Sequence, residues 1–235
     1  MHIRTRASIA AVAFAVAAPL LVTTSAYADS PVPAVPADAP APISGTATPE
    51  EEREVREELK NAPKVDMYYN GEKVDPKSDD LNGAQVCAEV SEDGTMECFD
   101  TERESNKQLA KQAPTAEARM GAAALAASTR KYEDCPNGWV CLWQDANYSG
   151  RRLQWPTYAE SKTRHLNQYS PSFRDKATSA YVNRPQRGVW LYDFRTGMPD
   201  PKLVLGAKYS LWPNFTKYDY PYGGNWNDKA DAIKF

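Results

Sequence analysis

His165 is one of only two histidines in the 235-residue chain, and the other, His2, lies in an amino-terminal leader. Any Ser-His or Cys-His relay, and any histidine-rich metal centre, would therefore depend on one residue. His165 sits in the polar stretch Lys162-Thr163-Arg164-His165-Leu166-Asn167 with no nucleophile motif nearby, and reads as an exposed loop histidine. Four cysteines, Cys87, Cys98, Cys135 and Cys141, form the second reactive set. Neither close pair has zinc-knuckle spacing, and in an exported chain the spacing favours two local disulfides, Cys87 with Cys98 and Cys135 with Cys141. No paired-carboxylate arrangement for glycosidase chemistry is identifiable. These residues argue against an enzyme and nominate no catalytic side chain.

The elements that would position such residues fall into unlike sections. Residues 1–28 contain His2, Arg4 and Arg6, an apolar run from Ile9 to Val22 and the small-residue pattern Ala26-Tyr27-Ala28, which reads as a secretory signal peptide. The run is shorter than the ~20 residues needed to cross a bilayer, so cleavage and release outside the cell are expected, with no membrane insertion. Residues 29–130 then carry 21 acidic and 11 basic residues, whereas residues 131–235 carry 10 acidic and 15 basic. This asymmetry predicts two electrostatically distinct parts, with contact between the acidic extension and the basic domain. The basic residues are scattered apart from Arg151-Arg152, which gives no nucleic-acid footprint.

Within the extension, residues 29–64 read as a Pro/Ala-rich linker, extended to about Pro49, followed by a short helix. Thr48 is placed as N-cap, Pro49 at the first helical position and Glu50, Glu51 and Glu52 in the first turn. Residues 65–110 contain a small β-hairpin unit. A four-residue turn, Ser91 to Gly94, sets Cys87 opposite Cys98, whereas a two-residue turn would set Glu89 there. So small a unit needs its crosslink, which supplies roughly 2–4 kcal/mol by restricting the unfolded chain. Helix-prone residues from Thr101 onward break near Pro114, and residues 111–130 read as an Ala-rich linker.

Residues 131–235 hold 20 aromatic residues, including all six tryptophans, between short apolar runs and turn signals. The expectation is a compact all-β domain. An internal repeat refines it: Val140-Cys141-Leu142-Trp143 recurs as Val189-Trp190-Leu191-Tyr192, and Asp175-Lys176-Ala177-Thr178 recurs as Asp228-Lys229-Ala230-Asp231. Two four-stranded Greek keys packed as a sandwich follow from this period.

The spacing of Trp143, Tyr148 and Gly150, with Ser179 further on, resembles the folded first hairpin of a βγ-crystallin Greek key. The run from Cys135 to Trp143, followed by Asn147-Tyr148-Ser149-Gly150-Arg151-Arg152, is similar to the secreted inhibitors grouped with Streptomyces metalloproteinase inhibitor. The resemblance covers about residues 132–235. It implies a proteinaceous inhibitor that inserts a rigid exposed loop into the cleft of a secreted metalloprotease. In the founding inhibitor a second disulfide braces that loop, and this chain has no cysteine after Cys141. The candidate loops are Thr196 to Lys202 and Lys217 to Trp226, the second offering Tyr218, Tyr220, Pro221, Tyr222 and Trp226. The alternative is a non-catalytic extracellular binding or structural module. The resemblance requires no cofactor but admits calcium, for which Asn227, Asp228 and Asp231 in one copy and Asp175 and Thr178 in the other are candidate donors. Both sets are incomplete for a hard cation wanting six to eight oxygens.

Overall fold

Apolar runs that recur half a domain apart become strands of two different sheets in the computed structural model, which describes residues 43–62, 64–75, 81, 83–126, 134–158 and 161–235. The expected signal peptide and most of the Pro/Ala-rich linker lie outside the described residues. In chain order the elements are β1 (Ile43–Thr46), α1 (Pro49–Lys60), β2 (Met67–Tyr69), β3 (Glu72–Lys73), β4 (Val86–Glu89), β5 (Met96–Phe99), α2 (Glu102–Gln112) and α3 (Ala116–Leu125). The carboxy-terminal half adds β6 (Trp139–Asp145), β7 (Ser149–Pro156), β8 (Thr163–His165), β9 (Ser179–Asn183), β10 (Val189–Tyr192), β11 (Pro201–Leu205), β12 (Ser210–Trp212) and β13 (Ala232–Lys234).

Strands β6 to β9 form one Greek key and β10 to β13 the other, and each gives its third strand to its neighbour. Thus β12 pairs with β9 beside β6 and β7, while β8 pairs with β13 beside β10 and β11. Backbone bonds at matching positions show the two-fold relation. The Asp175 N–H donates to the Ala230 carbonyl at 3.0 Å, and the Asp228 N–H donates to the Ala177 carbonyl at 3.2 Å. The Thr178 N–H reaches the Trp143 carbonyl at 3.0 Å, and the Asp231 N–H reaches the Tyr192 carbonyl at 2.7 Å. The chain is therefore an all-β, two-Greek-key, βγ-crystallin-like sandwich with a helical and hairpin extension.

Both faces of β6 are covered, which accounts for its unbroken apolar run. Val140 and Leu142 point between the sheets with Leu153, Val182, Leu191 and Ile233. Trp139, Cys141 and Trp143 point to the outer face, under Leu109 of α2 and Ala118 and Ala122 of α3. Burying side chains of this size contributes about 1.5–3 kcal/mol each. The helices Glu102–Gln112 and Ala116–Leu125 are consequently a cover for two tryptophans, whereas the sequence reads this stretch as a spacer. Small alanines allow that close approach, and Gly121 is closer still: a Cβ there would lie 2.2 Å from the Asn137 carbonyl oxygen.

The extension also changes the sheets. Cys87 pairs with Cys98 in register, the four-residue turn intervenes, and both local disulfides are present. Strand β4 runs parallel to the edge strand β7, so the hairpin gains a partner sheet instead of standing alone. On the other sheet, β1 pairs antiparallel with β11 from Ile43–Val204 to Thr46–Pro201. That strand lies where the sequence predicts extended linker. Its residues carry no strand pattern, and its stability comes from the unpaired backbone of an edge strand. Thr48 and Glu51 form the capping box of α1, whose Val55 packs on Ala47, Tyr192 and Ala232.

Oppositely charged groups meet across these contacts. Arg164 of β8 grips Glu89 of β4 through Nε at 2.9 Å and a terminal nitrogen at 2.8 Å, both side chains being buried. Tyr158 donates to the same carboxylate. Lys234 reaches Glu54 and Glu58 of α1 at 2.8 and 3.0 Å. Arg151 and Arg152 turn inward: Arg151 donates to the Pro171 carbonyl at 2.5 Å, and Arg152 is fully buried beside the Trp143 ring. Burial lowers both guanidinium pKa values to about 10. Among the described residues, no helix is long and apolar enough to cross a membrane.

Candidate functional site

The first repeat's hairpin is held by the residues that its sequence signature names. Asn147 and Tyr148 take positive φ of 57° and 58°, and Gly150 follows at 73°. Tyr148 folds back edge-on to Trp143 with ring centroids 5.4 Å apart. A Cβ at Gly150 would meet Asp145 Oδ2 at 2.4 Å. Ser179 closes the turn by accepting from the Tyr148 N–H at 3.1 Å and donating to the Asp145 carbonyl at 2.6 Å. Trp143, Tyr148 and Ser179 are all buried, which gives these positions a fold-determining role.

The second repeat closes its hairpin differently. Ala232 occupies the place of Ser179, and the preceding residue, Asp231, does the holding. Its Oδ2 accepts from the Phe194 N–H at 2.7 Å, and the Arg174 guanidinium binds the same carboxylate. Burial pushes Asp231 up to about 6 even with the Phe194 N–H and Arg174 pulling it down. His165 lies alongside, edge-on to Phe194 at 5.5 Å. It is half-buried on β8 and not in an exposed loop, and burial followed by Arg174 lowers its pKa.

These details decide what the candidate calcium donors can do. Asp231 already carries a guanidinium and an amide N–H. Asn227 Nδ2 donates to Asp228 Oδ2 at 2.7 Å, and Thr178 Oγ1 donates to Asp228 Oδ1 at 3.3 Å. Asp175 lies 3.5 Å from Arg174. The candidate oxygens are thus engaged with one another around Asp228, while Arg174 pairs with Asp231 and lies beside Asp175. Among the described residues no three His, Cys, Asp or Glu side chains converge as metal ligands.

The two candidate inhibitory loops are neighbours. From Arg195 to Pro199 the hairpin between β10 and β11 is exposed, with Met198 at 48%. From Pro221 to Gly224 the later loop is exposed, with Tyr222 at 43%. Tyr222 Oη donates to the Pro199 carbonyl at 2.6 Å and joins the two tips into one ridge. Tyr220 and Trp226, which the sequence offers as aromatic anchors for a partner, are buried instead and brace the ridge from below, their rings 5.2 Å apart. Tyr218 is half-buried and packs on Trp212. Aromatic type does not reveal direction, so the sequence could not separate Tyr222 from its inward neighbours.

Beneath the ridge lies a polar brace. Arg195 donates through Nε and a terminal nitrogen to Tyr220 Oη at 3.0 and 2.7 Å, and to Asp193 Oδ2 at 2.7 Å; Tyr220 in turn donates to Asp193. Burial, then the Asp193 carboxylate, raises the Tyr220 phenol. In the later loop the Tyr220 N–H reaches the Gly224 carbonyl at 3.2 Å, and the Gly223 N–H reaches the Tyr220 carbonyl at 3.0 Å. Gly223 and Gly224 have φ of 93° and 81°, a conformation that glycine adopts without strain. The ridge is thus two exposed tips on a hydrogen-bonded, aromatic base, and Asp193, Arg195 and Asp200 are members of that base that sequence reasoning did not single out.

Comparison with known proteins finds a family match over part of the chain and a structural neighbour. Residues 128–196 match the model of peptidase inhibitor family I36, spanning the first Greek key and ending within the first tip of the ridge. A solved βγ-crystallin from Ciona intestinalis is 26% identical over 41% of this chain and 96% of its own, with a TM-score of 0.25. Comparison with curated proteins gives no match.

Proposed function

From the match of residues 128–196 to peptidase inhibitor family I36, we propose that the protein is a secreted, non-catalytic inhibitor of a metalloprotease and that the ridge of Arg195–Pro199 and Pro221–Gly224 is its contact surface. One observation carries the choice of surface: Met198 and Tyr222 project from tips whose base is fixed by the Asp193, Arg195 and Tyr220 network and by Trp226. A loop that is ordered before binding loses little conformational entropy on entering a cleft, which favours tight and slowly cleaved complexes. That base takes the place of the absent second disulfide. Export after Ala28 belongs to the same reading, since an inhibitor of a secreted peptidase must meet it outside the cell. In this reading calcium is not required for inhibition, since Arg174 already pairs with Asp231.

Truncating the tips tests the surface. Met198→Ala combined with Tyr222→Ala is expected to weaken inhibition about 100-fold, at the ~1–2 kcal/mol per side chain typical of interface anchors, while leaving the melting temperature near that of the parent. Undiminished inhibition by the double variant would move the contact surface elsewhere on the domain.

A further inference from the structure

Residues 43–60 touch the base of both tips. The Ala47 N–H donates to the Asp200 carbonyl at 2.8 Å, and Glu52 accepts from the Asp200 N–H at 2.7 Å. Arg56 pairs with the Asp200 carboxylate at 2.7 Å and stacks over Phe194 at 5.1 Å. That carboxylate also accepts the Arg195 N–H at 2.6 Å, so Asp200 relays the helix contact into the first tip. Glu51 holds Lys202 at 2.5 Å. On the second loop, Ser44 donates to the Asp219 carbonyl at 2.5 Å and accepts from Trp226 Nε1 at 2.8 Å. One short segment of the acidic extension therefore ties together Phe194, Asp200 and Lys202 from the first loop and Asp219 and Trp226 from the second.

We propose that β1 and α1 are a positioning clamp that pre-organises the inhibitory ridge, making the extension a working part of the inhibitor rather than a spacer or a shield. The consequence for binding rests on the inhibitor reading; the clamp itself does not. The segment leaves the outer surfaces of Arg195–Pro199 and Pro221–Gly224 open, which separates it from an occluding propeptide. Its edge pairing with β11 is intramolecular, so the clamp closes without the association cost that a separate bracing chain would bear. Loss of the segment by proteolytic processing would leave a domain with its core intact and its ridge loosened, bound more weakly and cut more readily by the target.

Amide hydrogen exchange on the full mature chain, with no protease present, tests the clamp. The variant Ser44→Ala/Glu52→Ala/Arg56→Ala removes the side-chain links to Phe194, Asp200, Asp219 and Trp226 and leaves Glu51 on Lys202; Arg56→Ala alone reads the Asp200 link should the triple variant not fold; and Glu57→Ala, an exposed change on the same helix, is the control. The expected result is exchange faster by about tenfold or more at Arg195, Tyr220 and Gly223 in the triple variant, consistent with loss of several hydrogen bonds to charged groups, while β6 and β9 and the control protein keep their parent rates. Unchanged loop exchange overturns the clamp, and so does an equal acceleration throughout the chain, which would assign these contacts to the whole fold. Inhibition is then measured separately: a parent protein that inhibits no peptidase refutes the inhibitor reading but leaves the exchange result standing.

Discussion

Tyr220→Phe removes a single oxygen from beneath the ridge. The ring stays, and with it the edge-on packing on Trp226 at 5.2 Å, so no cavity opens. What is lost is the hydroxyl that donates to Asp193 and accepts two N–H groups of Arg195. Asp193 is only 6% exposed and keeps the Arg195 bond at 2.7 Å, so it is partly but not wholly compensated. Hydrogen bonds involving a charged partner are worth about 1.5–3 kcal/mol, and that range is the expected loss of stability by urea denaturation. For a chain of this size the melting temperature should fall by about 3–12 °C. A double-mutant cycle with Asp193→Asn should show coupling of at least about 1 kcal/mol, because the two groups share one network. If the brace fixes the tips, inhibition weakens together with stability. A stability change below about 0.5 kcal/mol with no coupling would refute the brace, since surface changes outside such networks fall in that range.

The other predictions concern the hairpin turns and charge. Ser179→Ala strips the Tyr148 N–H and the Asp145 carbonyl of a shared partner and should cost about 2–3 kcal/mol in chemical denaturation. Arg174→Ala should be more damaging at pH 7.5 than at pH 5. Because Asp231 titrates near 6, above the 3.8 of an ordinary aspartate, the folded state holds its proton more tightly between about pH 4 and 6, and Asp231's contribution to stability falls as pH rises through that window. Without its guanidinium partner the ionised carboxylate becomes costlier, which thermal melts at the two pH values would register. Calcium titration should leave both Trp fluorescence and the melting temperature unmoved, as a ligand of the folded state would have to raise the latter.

Much of the sandwich could be read from residue types because local and global requirements coincide there. Trp143, Tyr148, Gly150 and Ser179 announce a folded hairpin: the ring pair, the positive φ and the closing hydroxyl each demand a particular residue. The four-residue turn from Ser91 to Gly94 followed from the pairing of Cys87 with Cys98, since only that length sets the two cysteines opposite each other. Residues 43–46 gave no such signal, since Ile-Ser-Gly-Thr becomes a strand only where β11 offers an unpaired edge. Nor did α2 and α3, whose alanine-rich faces gain meaning from Trp139 and Trp143 on a distant strand. At the ridge, composition marked the two loops but not their adjacency. The bond from Tyr222 to Pro199, the inward turn of Tyr220 and Trp226, and the exchange of a serine closure for Asp231 with Arg174 all depend on how the second repeat is folded against the first.

The inhibition curve of the full mature protein against a panel of secreted peptidases, thermolysin-like metalloproteases first, is the most direct test of the proposed function. Activity of at least one metalloprotease should fall to near zero as the protein approaches equimolar amounts, with the ridge peptides left uncut. No inhibition of any peptidase at micromolar protein would contradict the inhibitor reading and return the domain to the class of binding or structural modules.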